Sequence, residues 1–281
     1  MGKKRAARVP ATLTATAPLL DPRSIESVLT FVEGAAHYPD DEALFEAQDL
    51  MYDAFEAKGA KRAALARQAL ALSPDCADAY LLLAEETVSS VEEARALLER
   101  GVAAGERALG PEPFEDDVGF FWGLFETRPY MRARAALAEA LWALGRREEA
   151  VEHQRELLRL NPNDNQGLRY LQAEWLLWLE SYEELDELFV AYERDGAAAF
   201  AYTKALAAFR RHGRSRETDA LLDEALAANP HVPAYLTGRK VMPKRLPDYI
   251  GFGDENEAVE YAADAAALWA SVPGALAWLE S

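Results

Sequence analysis

A chain of 281 residues is longer than one ordinary hydrophobic core supports, so it holds either two domains or one elongated repeat array. A net charge of −18 repels phosphate backbones and disfavours nucleic acid as a partner. The single cysteine, Cys76, excludes an intrachain disulfide. With no run resembling a membrane span or a signal-peptide core, a soluble cytoplasmic protein without membrane contact is expected.

Half of the residues are hydrophobic, and Ala, Leu, Glu and Arg dominate, a mixture that loses little side-chain entropy in helices. Alternating Val, Ile, Thr and aromatic runs are nearly absent, so a sheet has no raw material. Residues 1–20 hold Lys3, Lys4, Arg5 and Arg8 with no acid and read as a disordered basic tail. Asp21-Pro22 opens a capping helix that runs to Ala36. A helix pair then ends at Pro74, and a second pair begins around Tyr80, Leu83 and Ala84. Ser90 with Glu93 caps its long second helix, which stops near Gly110. The aromatic insertion 114–130 predicts a short helix from Asp116 to Glu126, ending before Arg128-Pro129.

From Met131 the chain repeats. A shift of 68 residues carries Pro162 onto Pro230, Gly145 onto Gly213 and Leu141 onto Phe209, which is two units of 34. The unit between them starts near Asn165 and places Leu168, Leu171, Trp175, Leu188 and Ala191 at matching slots, with Ser181 and Glu184 as its second-helix cap. Glycine ends a helix where φ must turn positive, and Pro162 and Pro230 stop the second helices. Gln154, Gln172 and Thr218 depart from the pattern at small or apolar slots. Beyond residue 236, Pro243, Pro247, Gly251 and Gly253 exclude helix until Asp254 caps a last one carrying Val259, Ala262, Ala266 and Trp269 on one face.

These residues resemble the tetratricopeptide-repeat family, best in "ARAALAEALWALGRREEAVEHQRELLRLNP" and "AYTKALAAFRRHGRSRETDALLDEALAANP". The resemblance implies an all-α fold: a right-handed superhelical solenoid of antiparallel helix pairs with capping helices. It would occupy residues 21–235, followed by an irregular loop and capping helices at 236–281. "TRPYMRARAALAEALWALGR", "LNPNDNQG" and "LPDYIGFGDENEAVEYA" are further similar, over residues 120–281, to bacterial repeat proteins likened to the suppressor-of-tumorigenicity-seven family. That resemblance brings no chemistry with it.

Catalytic motifs are missing, and His37, His153, His212 and His231 are scattered singly, so neither an enzyme nor a cofactor or metal site is expected. His153, four residues after Glu149, reads as a polar helix pair before a metal pair, and Cys76 as a structural thiol before a reactive one. In such a solenoid the first helices line the concave face. Their slots give Arg132, Glu139 and Trp142, then Gln166, Arg169 and Leu176, then Phe200, Thr203 and Arg210. From these, Arg132, Trp142, Gln166, Arg169, Phe200, Thr203 and Arg210 form the candidate groove for a protein or peptide, with an acidic one suited to the arginines. The family's clamp for carboxylate tails is not matched by Ala135 with Glu139 or by Arg169 with Ala173. The same arginines read equally well as partners of neighbouring acids. Two alternatives stand beside the scaffold: an enzyme or small-ligand regulator with its site where the 114–130 insertion and the 236–257 loop meet, and a homo-oligomer joined by apolar patches.

Overall fold

The computed structural model describes residues 41–280, and every regular element among them is helical. The basic tail and the capping helix expected at 21–36 lie outside the described residues. The chain divides into two compact units between Gln166 and Gly167, within the stretch that the 34-residue period treats as one array.

In the first unit three helical hairpins stack. Helix α1 (Glu42–Glu56) pairs with α2 (Ala60–Leu72), α3 (Ala77–Glu86) with α4 (Val91–Leu109), and α6 (Arg128–Ala143) with α7 (Arg147–Leu160). The core of α1, α2 and α3 is built from small residues, Ala47, Ala54, Ala66 and Ala79, around Met51 and Leu82. Small residues let helix axes approach, and α4 and α6 come close at Gly105. A Cβ added to Gly105 would lie 2.8 Å from the Tyr130 Cβ, so this glycine exists for proximity. Gly145 serves conformation instead: its φ of +79° ends α6, and Arg146 donates its N–H back to the Leu141 carbonyl.

The insertion differs from expectation. Its helix, α5, covers only Pro113–Asp116, and two 3-10 turns follow at Phe121–Gly123 and Phe125–Thr127. Gly119, at φ +94°, breaks the run that was expected to be helical. Helix α6 then starts at Arg128 with Pro129 in its first turn, where a missing N–H costs nothing. Phe121 and Tyr130 are buried; Phe114 packs edge-on with Tyr130 and tilted against Phe121, so Phe121 plugs the junction while Trp122 and Phe125 are half-buried and Phe120 remains exposed.

The second unit comprises α8 (Leu168–Trp178) with α9 (Tyr182–Ala191), α10 (Ala198–His212) with α11 (Arg216–Ala228), a short α12 (Val232–Leu236), α13 (Glu255–Ser271) and α14 (Ala275–Trp278). Thr218, out of pattern in the sequence, is explained: it completes a capping box with Ser215 at the start of α11. Ser181 makes no such bond at α9, whereas at α4 Ser90 caps the helix as expected, its Oγ accepting the Glu93 N–H at 3.2 Å, and the Glu93 carboxylate also accepts from Ser89. Helix α13 packs against α12, α10 and α8, and so lies across the first helices of two hairpins. That placement decides what the second unit leaves free for a partner.

Candidate interaction sites

The three arginines of the expected groove are all engaged within their own unit. Arg132 on α6 grips Asp78 on α3 with two parallel bonds, Nε to Oδ1 at 2.9 Å and Nη2 to Oδ2 at 2.6 Å. Asp78 is 0% exposed and also accepts from Gln48 Nε2 on α1 at 2.8 Å, so one polar chain staples the first helices of three hairpins. Arg169 pairs with Asp195 and stacks on Tyr170 and Tyr192, while Asp195 also accepts from the Tyr170 hydroxyl and the Ala197 N–H. Arg210 donates to the Leu177 carbonyl at 2.8 Å and to Glu180 at 2.6 Å, closing the end of α8. A bidentate guanidinium on a desolvated carboxylate is a strong, directional contact, and a ligand would have to break it.

Two further groove candidates are core residues. Phe200 is 4% exposed and meets Tyr170, Phe189 and Tyr192 edge-on. Thr203 is 1% exposed, with its hydroxyl 3.3 Å from that of Tyr261 on α13, which also accepts from Trp269 Nε1 at 2.8 Å. The repeat slots put both on an open concave surface; α13 and the aromatic packing around α10 cover that surface instead. Trp142 and Gln166, in the first unit, stay half-buried at the surface. Arg147 lies 5.1 Å above the Trp142 ring, and Gln166 Oε1 is buried with no hydrogen bond among the described residues.

Two features were not assigned by the slots. The first is the segment 237–254, which carries exposed Val241, Tyr249, Ile250 and Phe252. Its end is held firmly: Gly251 N–H bonds to Asp254 Oδ2, Asn256 to the Tyr249 carbonyl, and Gly253 N–H to Glu257 Oε2. Glu257 also accepts from Ala198 N–H and Asn229 Nδ2, tying the loop to α10 and to the end of α11. A fixed backbone with outward apolar side chains is a preorganised surface, whose docking orders little.

The second feature is a group of acids, Glu174 on α8 with Glu260 and Asp264 on α13. Glu174 is 6% exposed, yet neither a hydrogen bond nor a cation is found for it among the described residues. Burial, then the charge of Asp264, pushes its carboxyl well above the usual range. Asp264, whose side chain is exposed to solvent, rises to about 6 through partial desolvation and then through Glu260, one turn earlier; the half-buried Glu260 rises through desolvation. No group of three or more acids, histidines or cysteines able to hold a metal ion occurs among the described residues.

The lone thiol and the helix-borne imidazole have plain surroundings. Cys76 is buried beside Gln48, and burial and Asp78 push it up to about 12. Burial and Arg134 lower the His153 imidazole.

Stacked helical hairpins with small residues at the crossings define an all-α repeat protein. Residues 35–281 match the family model described as ST7 protein, and the chain belongs to that family. The match extends well upstream of residues 120–281, where the recognisable strings lie. It is 30% identical over 243 residues to "Suppressor of tumorigenicity 7 protein-like" of Rattus norvegicus, covering 76% of this chain and 42% of that protein. Likewise it is 30% identical over 235 residues to "Suppressor of tumorigenicity 7 protein" of Macaca fascicularis, covering 73% and 42%. The chain thus spans about two fifths of the relatives it matches. Among solved structures, YrrB, described as a TPR protein with an unusual peptide-binding site, aligns with a TM-score of 0.44 at 19% identity, over 74% of this chain and 93% of that one. No helix of the described residues is long and apolar enough to cross a membrane.

Proposed function

We propose that this chain is a protein-interaction scaffold, and that a partner docks on the segment 237–254. The observation that carries this reading is the exposure of Tyr249 and Phe252, at 72% and 82%, on a backbone fixed by the Asp254, Asn256 and Glu257 bonds, with exposed Val241 earlier in the same segment. Aromatic side chains on a rigid frame make good anchors because little entropy is lost when they are covered. The concave-groove version, with Arg132, Arg169 and Arg210 taking an acidic peptide, would require three internal ion pairs to open, so only Trp142 and Gln166 keep a share in it.

The proposal is of a binding protein and not of an enzyme. Supporting it, the one thiol is held protonated at neutral pH, and a nucleophile needs its thiolate. Parallel affinity capture with wild type, Tyr249→Ser/Phe252→Ser and Trp142→Ala tests the assignment. The partner set is expected to be lost with the loop variant and retained with Trp142→Ala; the reverse pattern returns the site to the concave face.

A further inference from the structure

We propose that the partner docking on the segment 237–254 presents an acidic stretch of polypeptide interspersed with apolar side chains. The inference rests on the assignment of that segment as the docking surface, and it names the chemistry of what the surface takes.

The charge of the segment runs against that of the chain. Between Thr237 and Pro247 stand Arg239, Lys240, Lys244 and Arg245 without a single acid, in a protein of net charge −18. All four are exposed, and so is Val241 among them. Two ion pairs hold this basic limb against the aromatic limb that carries Tyr249 and Phe252. Arg245 binds Asp248, the neighbour of Tyr249, at 2.8 Å, and Lys240 binds Glu255, the neighbour of the Asp254 that fixes Gly251. One cation is thereby held beside each end of the stretch 248–255 that displays the two rings. The Lys240 N–H also donates to the Ala234 carbonyl at 2.7 Å, which anchors the start of the basic limb on α12. Asp254 and Glu257 spend their carboxylates on the backbone N–H groups of Gly251, Gly253 and Ala198, so Asp248 and Glu255 are the exposed acids that face four exposed cations.

Availability separates these cations from the groove arginines. Arg132 and Arg169 hold carboxylates that are 0% and 6% exposed, and opening those pairs would strand a desolvated charge. The acids paired with Arg239, Lys240 and Arg245 are 48%, 49% and 75% exposed. Such solvated pairs contribute little, and a partner's carboxylate exchanges into them at small cost. Lys244 has no ion pair or hydrogen bond among the described residues. Complementary charge beside apolar anchors fixes register and rejects basic partners. An anionic bilayer offers the same charge, but it would face the acidic remainder of the chain as well. A peptide meets the basic limb alone, within the screening length of about 8 Å at physiological salt.

A random dodecapeptide phage library panned on the intact chain tests the inference, with selected peptides resynthesised and titrated by fluorescence anisotropy. Peptides carrying Asp or Glu beside aromatic or aliphatic residues are expected, and Tyr249→Ser/Phe252→Ser should abolish their binding. Arg239→Gln/Lys244→Gln, shown by its melting curve to fold, should weaken them about 3- to 10-fold, as the loss of two solvated charge pairs would. Converting the peptide acids to amides should cost a similar factor on the wild type and add little on the charge variant. Peptides that require Tyr249 and Phe252 yet bind equally well as amides would overturn the acidic class and leave the docking surface standing. Peptides indifferent to Tyr249→Ser/Phe252→Ser would remove the docking surface, and the inference with it. Failure to select any acidic peptide also overturns the inference. If the chain then co-sediments with vesicles of equal parts phosphatidylcholine and phosphatidylserine, and both variants abolish this, the surface belongs to an anionic bilayer instead.

Discussion

The two units each bury an acid on a first helix and treat it in opposite ways. Asp78 in the first unit is 0% exposed and receives a bidentate guanidinium and an amide, so its charge is compensated where it sits. Glu174 in the second is 6% exposed and receives nothing, and the protein tolerates it by favouring the protonated form. Burial alone therefore says little about what a charged side chain does. The partner atoms separate a structural staple from a carboxyl that the fold merely accommodates.

Arg132→Ala should break the comparison most severely, because it leaves Asp78 buried without a counter-ion; a loss of about 3–5 kcal/mol in urea unfolding is expected. A loss under about 1 kcal/mol would mean that the pair is ornamental. Gly105→Ala tests the first unit sterically, without touching charge. The new Cβ would meet Tyr130 at 2.8 Å, and roughly 1–3 kcal/mol should be lost. Glu174→Gln should have the opposite sign: removing an uncompensated carboxylate of the same shape is expected to raise stability at pH 8 by about 1–2 kcal/mol.

The pH dependence sharpens the same contrast. Glu174, and Asp264 at about 6, have folded values above their unfolded ones, which lie near 4. Such groups bind more protons folded than unfolded. Their contribution is complete below the unfolded values and is lost as pH rises through the folded ones. The melting temperature should therefore fall between pH 5 and pH 8, and Glu174→Gln/Asp264→Asn should flatten that slope. A flat wild-type profile would contradict the assignment of uncompensated acids. The smallest effect is expected from Tyr249→Ser/Phe252→Ser, within about 0.5 kcal/mol of wild type, since both rings are already solvated.

The helix pairs were legible in the sequence because their marks are local. Gly145, Gly213, Pro162 and Pro230 act on the backbone within a turn of themselves, and the 34-residue spacing makes them recur. The 114–130 insertion was misread because an aromatic run without a helical period does not say where Gly119 will turn the chain. The site was less legible for a related reason. Slot position names the face a residue occupies, but the partners of Arg132, Arg169 and Arg210 lie 54, 26 and 30 residues away. Phe200 and Thr203 were misassigned because nothing in their own repeat signals that α13 will return across them. Conversely, the exposed loop was visible in its prolines and glycines, and only its hydrogen-bonded backbone required the structure.

Glu257 also sets a schedule. Its Oε1 accepts from the Ala198 N–H across 59 residues of chain. A ribosome adding about 5–20 residues per second makes Glu257 roughly 3 to 12 s after Ala198. Through that interval α10 is present while α13, which covers Thr203, is not, so the nascent second unit passes through a stage with bare apolar surface that a chaperone would bind and the finished protein would not show.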